Sequence, residues 1–110
     1  MGDTRTQKTW SQDGWLEEEI RIVSNKLDGV ARNWHPNGKL RIQGYFENCN
    51  LVDKVEFYDE NGEKYATLHF ASDKFTHCEG DCEKDNLRYQ IEHSFFKKQK
   101  DICSMVIEGK

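Results

Sequence analysis

Apolar residues along this chain recur in columns spaced 24 positions apart. Trp10, Trp34 and Tyr58 form one column, and Ile22, Phe46 and Phe70 form another. Ile20, Gly44 and Leu68 form a third, with Gly44 as its odd member, while Leu16 and Leu40 match and Lys64 breaks the set. Four residues after each aromatic stands the glycine of a turn dipeptide: Asp13-Gly14, Asn37-Gly38 and Asn61-Gly62. Asn, Asp and Gly tolerate positive φ, so these pairs favour tight hairpins. Several columns in one register mark a repeat architecture.

Each unit reads as a β-hairpin. Alternate residues of a strand share a face. Leu40, Ile42 and Phe46 therefore line one face in the middle unit, and Ala66, Leu68 and Phe70 line it in the third. In the first unit Leu16, Ile20 and Ile22 do so, with Glu18 interrupting. Three consecutive glutamates make a short helix the competing reading of residues 15–23, and the repeat register favours the strand. After the repeats, Leu87, Tyr89, Ile91, His93 and Phe95 alternate with Arg88, Gln90, Glu92 and Ser94, a half-buried strand pattern. A second apolar run over residues 102–107 completes a last hairpin that extends the sheet or folds over it. A helix through Leu87, Ile91 and Phe95 is the alternative. The expected fold is mainly β: one domain over residues 1–110, with antiparallel hairpin repeats over about 8–75 and a capping segment over about 76–110.

Composition narrows the function. Apolar residues make up 35% and charged residues 33%, a thin core that 13 aromatics (three Trp, four Tyr, six Phe) enlarge. The formal charge of −4 disfavours non-specific nucleic-acid binding, which rests on clustered Lys and Arg. No apolar run approaches membrane-spanning length, and residues 1–12 are polar, so a cytoplasmic protein with no membrane contact is expected. The start Met1-Gly2-Asp3-Thr4-Arg5-Thr6 fits the myristoylation pattern formally but lacks a polybasic second signal, so an ordinary start is preferred.

Cys49, Cys78, Cys82 and Cys103 are expected as four free thiols in a reducing compartment. The run from His77 and Cys78 to Cys82 resembles half of a zinc site without a second pair at familiar spacing, so a plain acidic loop, with no metal and no cofactor, is preferred. His35, His69, His77 and His93 are scattered, and no phosphate loop, nucleophile elbow or zinc-protease motif is present. The chain is not expected to be an enzyme.

The stretch from Asp28 and Gly29 through Trp34, Asn37, Gly38, Lys39 and Leu40 to Gly44, Tyr45 and Phe46 resembles the variant MORN repeat. Phe57, Tyr58, Asn61 and Gly62 repeat the aromatic and turn, and Trp10 with Asp13 and Gly14 is a weaker copy. The resemblance covers residues 27–70 best and ends after about Phe75. It implies kinship with the YwqK-like bacterial antitoxin and immunity proteins, which bind and neutralise a cognate toxin, in some cases a nuclease. It also implies, as the alternative, a scaffold or membrane-surface module. A small metal-binding protein built on the loop containing Cys78 and Cys82 is a third reading.

On the first reading the partner is a basic toxin domain, and acidic groups beside aromatics are the expected contacts. They are Glu17, Glu18 and Glu19 in the first repeat, then Glu79, Asp81, Glu83 and Asp85 after the third. Trp15, Tyr45 and Tyr65 are placed on the face opposite the core. The bland reading of both acidic runs is a solvated face, and that of the aromatics is packing under the C-terminal segment. Open sheet edges also suggest a homodimer.

Overall fold

The computed structural model describes residues 4–108, and the side chains of all of these except Asp85 and 104–108. Seven strands run in sequence order across one antiparallel sheet: β1 (Thr4–Trp10), β2 (Leu16–Val23), β3 (Lys26–Trp34), β4 (Leu40–Glu47), β5 (Asn50–Tyr58), β6 (Lys64–Ala71) and β7 (Lys74–Gly80). A continuous helical segment follows. It comprises a 3-10 turn at Lys84–Asn86, α1 (Leu87–Ile91), a π-helical turn at Glu92–Phe96 and α2 (Lys97–Glu108).

Two kinds of turn alternate along the meander. At one end the chain turns through Gly14, Gly38 and Gly62, with φ of 92°, 89° and 91°. At the other end it turns through Ser24-Asn25, Asn48-Cys49 and Ser72-Asp73, with every φ between 45° and 73°. Two successive positive-φ residues form the hairpin turn whose twist matches that of the flanking strands. These pairs keep the 24-residue spacing too, though they contain no glycine. The bulges repeat with them, between Thr9 and Trp10, Asn33 and Trp34, and Phe57 and Tyr58. Asp53, where the middle repeat has Gly29, keeps a positive φ of 65° and thus the backbone of the repeat.

The core forms on one face of the sheet. Ile20, Ile22, Ile42, Phe46, Ala66, Leu68 and Phe70 are buried there as the alternation requires, joined by Leu27, Leu51, Val55 and Phe57. Leu16 and Leu40 are half-buried at the rim.

The C-terminal segment departs from the expected hairpin. Leu87, Ile91 and Phe95 are buried at helical spacing, while Tyr89 and His93 stack on each other outside, 3.9 Å between ring centroids. The alternation at every second residue is real, but only every fourth residue faces the sheet. A helix lying on the apolar face shields several strands from water, whereas another hairpin would lengthen the sheet and leave that face wet. The π-helical turn lets neighbouring residues Phe95 and Phe96 both face the sheet, Phe95 against Phe46 at 6.0 Å and Phe96 against Phe70 at 6.0 Å.

Four contacts fix the helical segment. The Phe95 ring sits over Gly44, where an added Cβ would lie 2.5 Å from Cε2. Lys98 Nζ meets Glu18 Oε1 at 3.5 Å. The Gln99 amide donates to the Cys49 carbonyl oxygen and to the Asp73 carboxylate at 2.8 and 2.9 Å, tying α2 to two of the glycine-free turns. A disulfide joins Cys49 to Cys103. A second disulfide joins Cys78 to Cys82, so the expectation of four free thiols is corrected. Folding brings Cys103 beside a turn 54 residues away, a proximity that sequence spacing does not encode.

Two predictions follow from the docking. Gly44→Val forces Phe95 out of its seat and should lower stability by about 1–3 kcal/mol in urea unfolding, with loss of near-ultraviolet circular dichroism from the aromatic contacts. Cys103→Ser should keep the fold while lowering stability by roughly 2–4 kcal/mol, as expected for opening a long cross-linked loop, with thermal melts as the check.

Candidate functional site

The face away from the helix is polar. One row of paired residues crosses all seven strands: Lys8, Glu19, Arg32, Gln43, Glu56, Thr67 and Glu79. Hydrogen bonds and ion pairs join much of it. Arg32 reaches Glu19 at 3.3 Å and donates from Nε to Gln43 Oε1 at 2.9 Å. The Gln43 amide donates to the Tyr45 hydroxyl oxygen at 2.9 Å, and the Tyr45 hydroxyl donates to Glu56 at 3.4 Å. Lys64 pairs with the other Glu56 oxygen at 3.3 Å. Crowding by these neighbours buries Glu56 and Thr67 without a second protein layer. Six of its seven residues fall in two repeat columns, Lys8/Arg32/Glu56 and Glu19/Gln43/Thr67, so its signal was present at polar positions of the same period. Hydrophobic columns alone do not reveal it.

The expected contact residues separate into distinct places. Glu17, Glu18 and Glu19 do not form one patch. Strand alternation sends Glu19 to the polar face and Glu18 to the covered face, where only 6% of Glu18 is exposed. Glu17 occupies the bulge position and lines a rim groove of about 520 Å³ together with Glu18, Trp15, Trp34, Arg41, His93 and Lys98, so these two acids stay together while Glu19 leaves them. Tyr45 belongs to the polar row, as placed from the sequence. Trp15 is half-buried in the rim groove rather than opposite the core. Tyr65 is likewise on the covered side: it packs against the core with its ring 6.3 Å from Phe57, and Lys84 Nζ lies 4.4 Å above it. The bulge next to Tyr58 turns Tyr65 from the outer face toward the helix, as the equivalent bulges turn Glu17 and Arg41.

Glu79 ends the polar row, and Asp81 and Glu83 follow it on an exposed loop. The side chain of Asp85 lies outside the described residues. The backbone N–H of Asp81 donates to the Tyr65 carbonyl oxygen at 2.8 Å, which holds this loop beside the turn over residues 59–63. Tyr58, Asp59, Glu60 and Tyr65 line a hollow of about 580 Å³ there, together with His35, Arg41, Lys84 and Gln90. Asp59 accepts from the backbone N–H groups of Asn61 and Glu63 at 2.9 and 3.0 Å, which holds its carboxyl below the usual carboxylate range. The hollow sets two carboxylates beside Arg41 and Lys84 between tyrosine walls, and exposed Asp81 and Glu83 follow on the adjoining loop. Asp59, Glu60 and Tyr58 were not among the expected contacts, because the proximity of loop and turn is set by β6–β7 pairing.

Residues 27–48 match a family model described as the MORN repeat variant. No curated protein matches the chain. No solved structure matches it either.

Burial of Glu18 raises its carboxyl above the ordinary range, opposed by Lys98 and Asn33. A raised folded-state value means that ionisation opposes folding. The contribution from protonated Glu18 is therefore complete at low pH and is lost as pH rises through the raised value. Glu18→Gln should match the wild type in acid and become more stable than it toward neutrality, by on the order of 1 kcal/mol. Urea melts from about pH 4 to pH 8 check the sign.

Proposed function

We propose that this chain is an immunity or antitoxin protein that binds a basic protein toxin stoichiometrically and occludes a surface the toxin needs, without turnover. The observation that carries the reading is the hollow where Asp59 and Glu60 stand beside Tyr58 and Tyr65, with exposed Asp81 and Glu83 on the loop hydrogen-bonded to the Tyr65 carbonyl. Tyrosines offer large contact area at low entropy cost, and carboxylates steer a basic partner and fix its register. A rigid meander with one face covered suits a binding surface that must not rearrange. The match to the MORN repeat variant and the net charge of −4 accord with this reading. Trp15 and Glu17, in the groove at the same rim, extend the proposed contact surface toward β1.

The proposed site of action is the cytoplasm, whose reducing thiol pool disfavours the two bridges. Phe95, Lys98 and Gln99 would then hold the helix on the sheet without the bond from Cys49 to Cys103.

Co-expression of the tagged chain with the product of the adjacent upstream gene tests the reading. The expected result is one stoichiometric complex by gel filtration and survival of cells that the neighbour alone would kill. Glu60→Lys with Glu83→Lys should slow association tenfold or more while leaving the far-ultraviolet spectrum unchanged. A neighbour that is harmless and does not co-elute would overturn the proposal.

A further inference from the structure

At the β7 edge of the polar face, antiparallel pairing sets His69 directly opposite His77. Their rings stack, 4.2 Å between centroids and 7° from parallel. Glu79, two residues beyond His77, projects to the same face, and its Oε1 lies 2.6 Å from His69 Nε2. One ligand atom from each of the three falls within 4.8 Å of the other two. Two imidazoles and a carboxylate are hard-to-borderline donors of the kind zinc and its first-row neighbours take. Zinc bonds of about 2.0–2.1 Å place tetrahedral ligand atoms roughly 3.3 Å apart, so side-chain rotation without strand movement closes the set.

We propose that His69, His77 and Glu79 form a binding site for one divalent transition-metal ion of zinc's class, with water completing its coordination.

The neighbouring residues prepare these donors. Thr76 Oγ1 donates to the His69 carbonyl oxygen at 3.1 Å, so its lone pairs are turned to His77 Nδ1 at 3.3 Å. That contact places the His77 proton on Nδ1 and leaves Nε2 as the donor atom, the arrangement that a second hydrogen bond gives metal-ligating histidines. The hydrogen bond with His69 Nε2 turns a Glu79 carboxylate oxygen toward the imidazole pair. The proton shared between His69 and Glu79 occupies the metal's position in the free protein. Binding at His69 Nε2 therefore moves the proton of the neutral imidazole to Nδ1 and replaces the hydrogen bond to Glu79 with two bonds to the ion. Lys54, opposite His69, and Lys64, whose charge acts on Glu79, oppose the cation, and the open position at the sheet edge leaves room for water. The sequence offered His77, Cys78 and Cys82 as half of a zinc site and favoured a plain acidic loop there. In the oxidised chain the disulfide removes both sulfurs as ligands, and strand alternation turns Cys78 toward the core, away from His77.

The site stands independently of the toxin-binding reading and is tested on the oxidised full chain alone. Titration calorimetry with zinc chloride should show one equivalent bound, and zinc should raise the melting temperature. His69→Gln with His77→Gln should abolish both effects, and Glu79→Gln alone should weaken binding at least tenfold. His35→Gln with His93→Gln, which removes the remaining histidines, should leave binding intact. Circular dichroism confirms that each variant is folded, and the Glu79 variant carries the test if the double variant is not. Absence of zinc binding by the wild type, or its persistence in the His69 and His77 variant, would overturn the proposal.

Discussion

Phe95 reaches the sheet because position 44 carries no side chain. β4 is the middle strand of seven, so this seat lies at the centre of the apolar face. A single-layer sheet leaves half its side chains in water unless something lies across it, and desolvating the apolar half is what drives cover to form. The helix supplies that cover with few residues: Leu87, Ile91 and Phe95 are fully buried, with Phe96, Ile102 and Cys103 partly so. With so little apolar surface on the helix, the depth of the Phe95 insertion decides how closely the rest can approach. Glu18 with Lys98 and Gln99 with Asp73 fix orientation around that point. Strands far from the centre are left open, and nearly every residue of β1 is exposed.

The period of the repeat organises both faces. Two turn columns and one bulge column recur at the same spacing, so equivalent residues land in equivalent places on successive hairpins. Inward columns build the core, and outward columns build the polar row. The bulge column holds Glu17, Arg41 and Tyr65, three unlike residues turned toward the helix rim. Backbone geometry there is constant while chemistry varies. The repeat therefore serves as scaffold at most columns and offers individual surface at this one.

How much of this could be read in advance depended on whether the signal was local. The glycine turns, the aromatic column and the core residues Ile42, Phe46, Leu68 and Phe70 were legible, because strand alternation and turn chemistry act over a few neighbours. The Ser-Asn, Asn-Cys and Ser-Asp turns carried the same period with weaker residues. The helix was obscured because Leu87, Tyr89, Ile91, His93 and Phe95 satisfy a period of two as well as one of four, and the difference lies in what they cover. Gly44 was visible as an exception in its column, but its reason is a phenylalanine 51 residues later. Glu18 read as a surface acid because its partner Lys98 comes from the far end of the chain. The disulfides and the tyrosine-walled hollow depend likewise on segments that only the finished fold brings together.

The two ends of the sheet differ in a way that bears on both proposals. β1 is a polar edge with Arg5 and Lys8, and charge on an edge resists pairing with another chain. β7 is shorter in effect: its register shifts beside Phe70, and the disulfide loop turns the chain away at its end. Its outward side chains are therefore better suited to specific contacts than its backbone is to strand addition. Glu79 belongs to the polar row, to the histidine pair and to the segment leading into the loop of Asp81 and Glu83. A cation held there would neutralise a carboxylate close to the surface proposed for a basic partner. By linkage, whatever the ion takes from the partner's affinity the partner must take from the ion's. If both proposals hold, Glu79 is the residue through which the two bindings oppose each other.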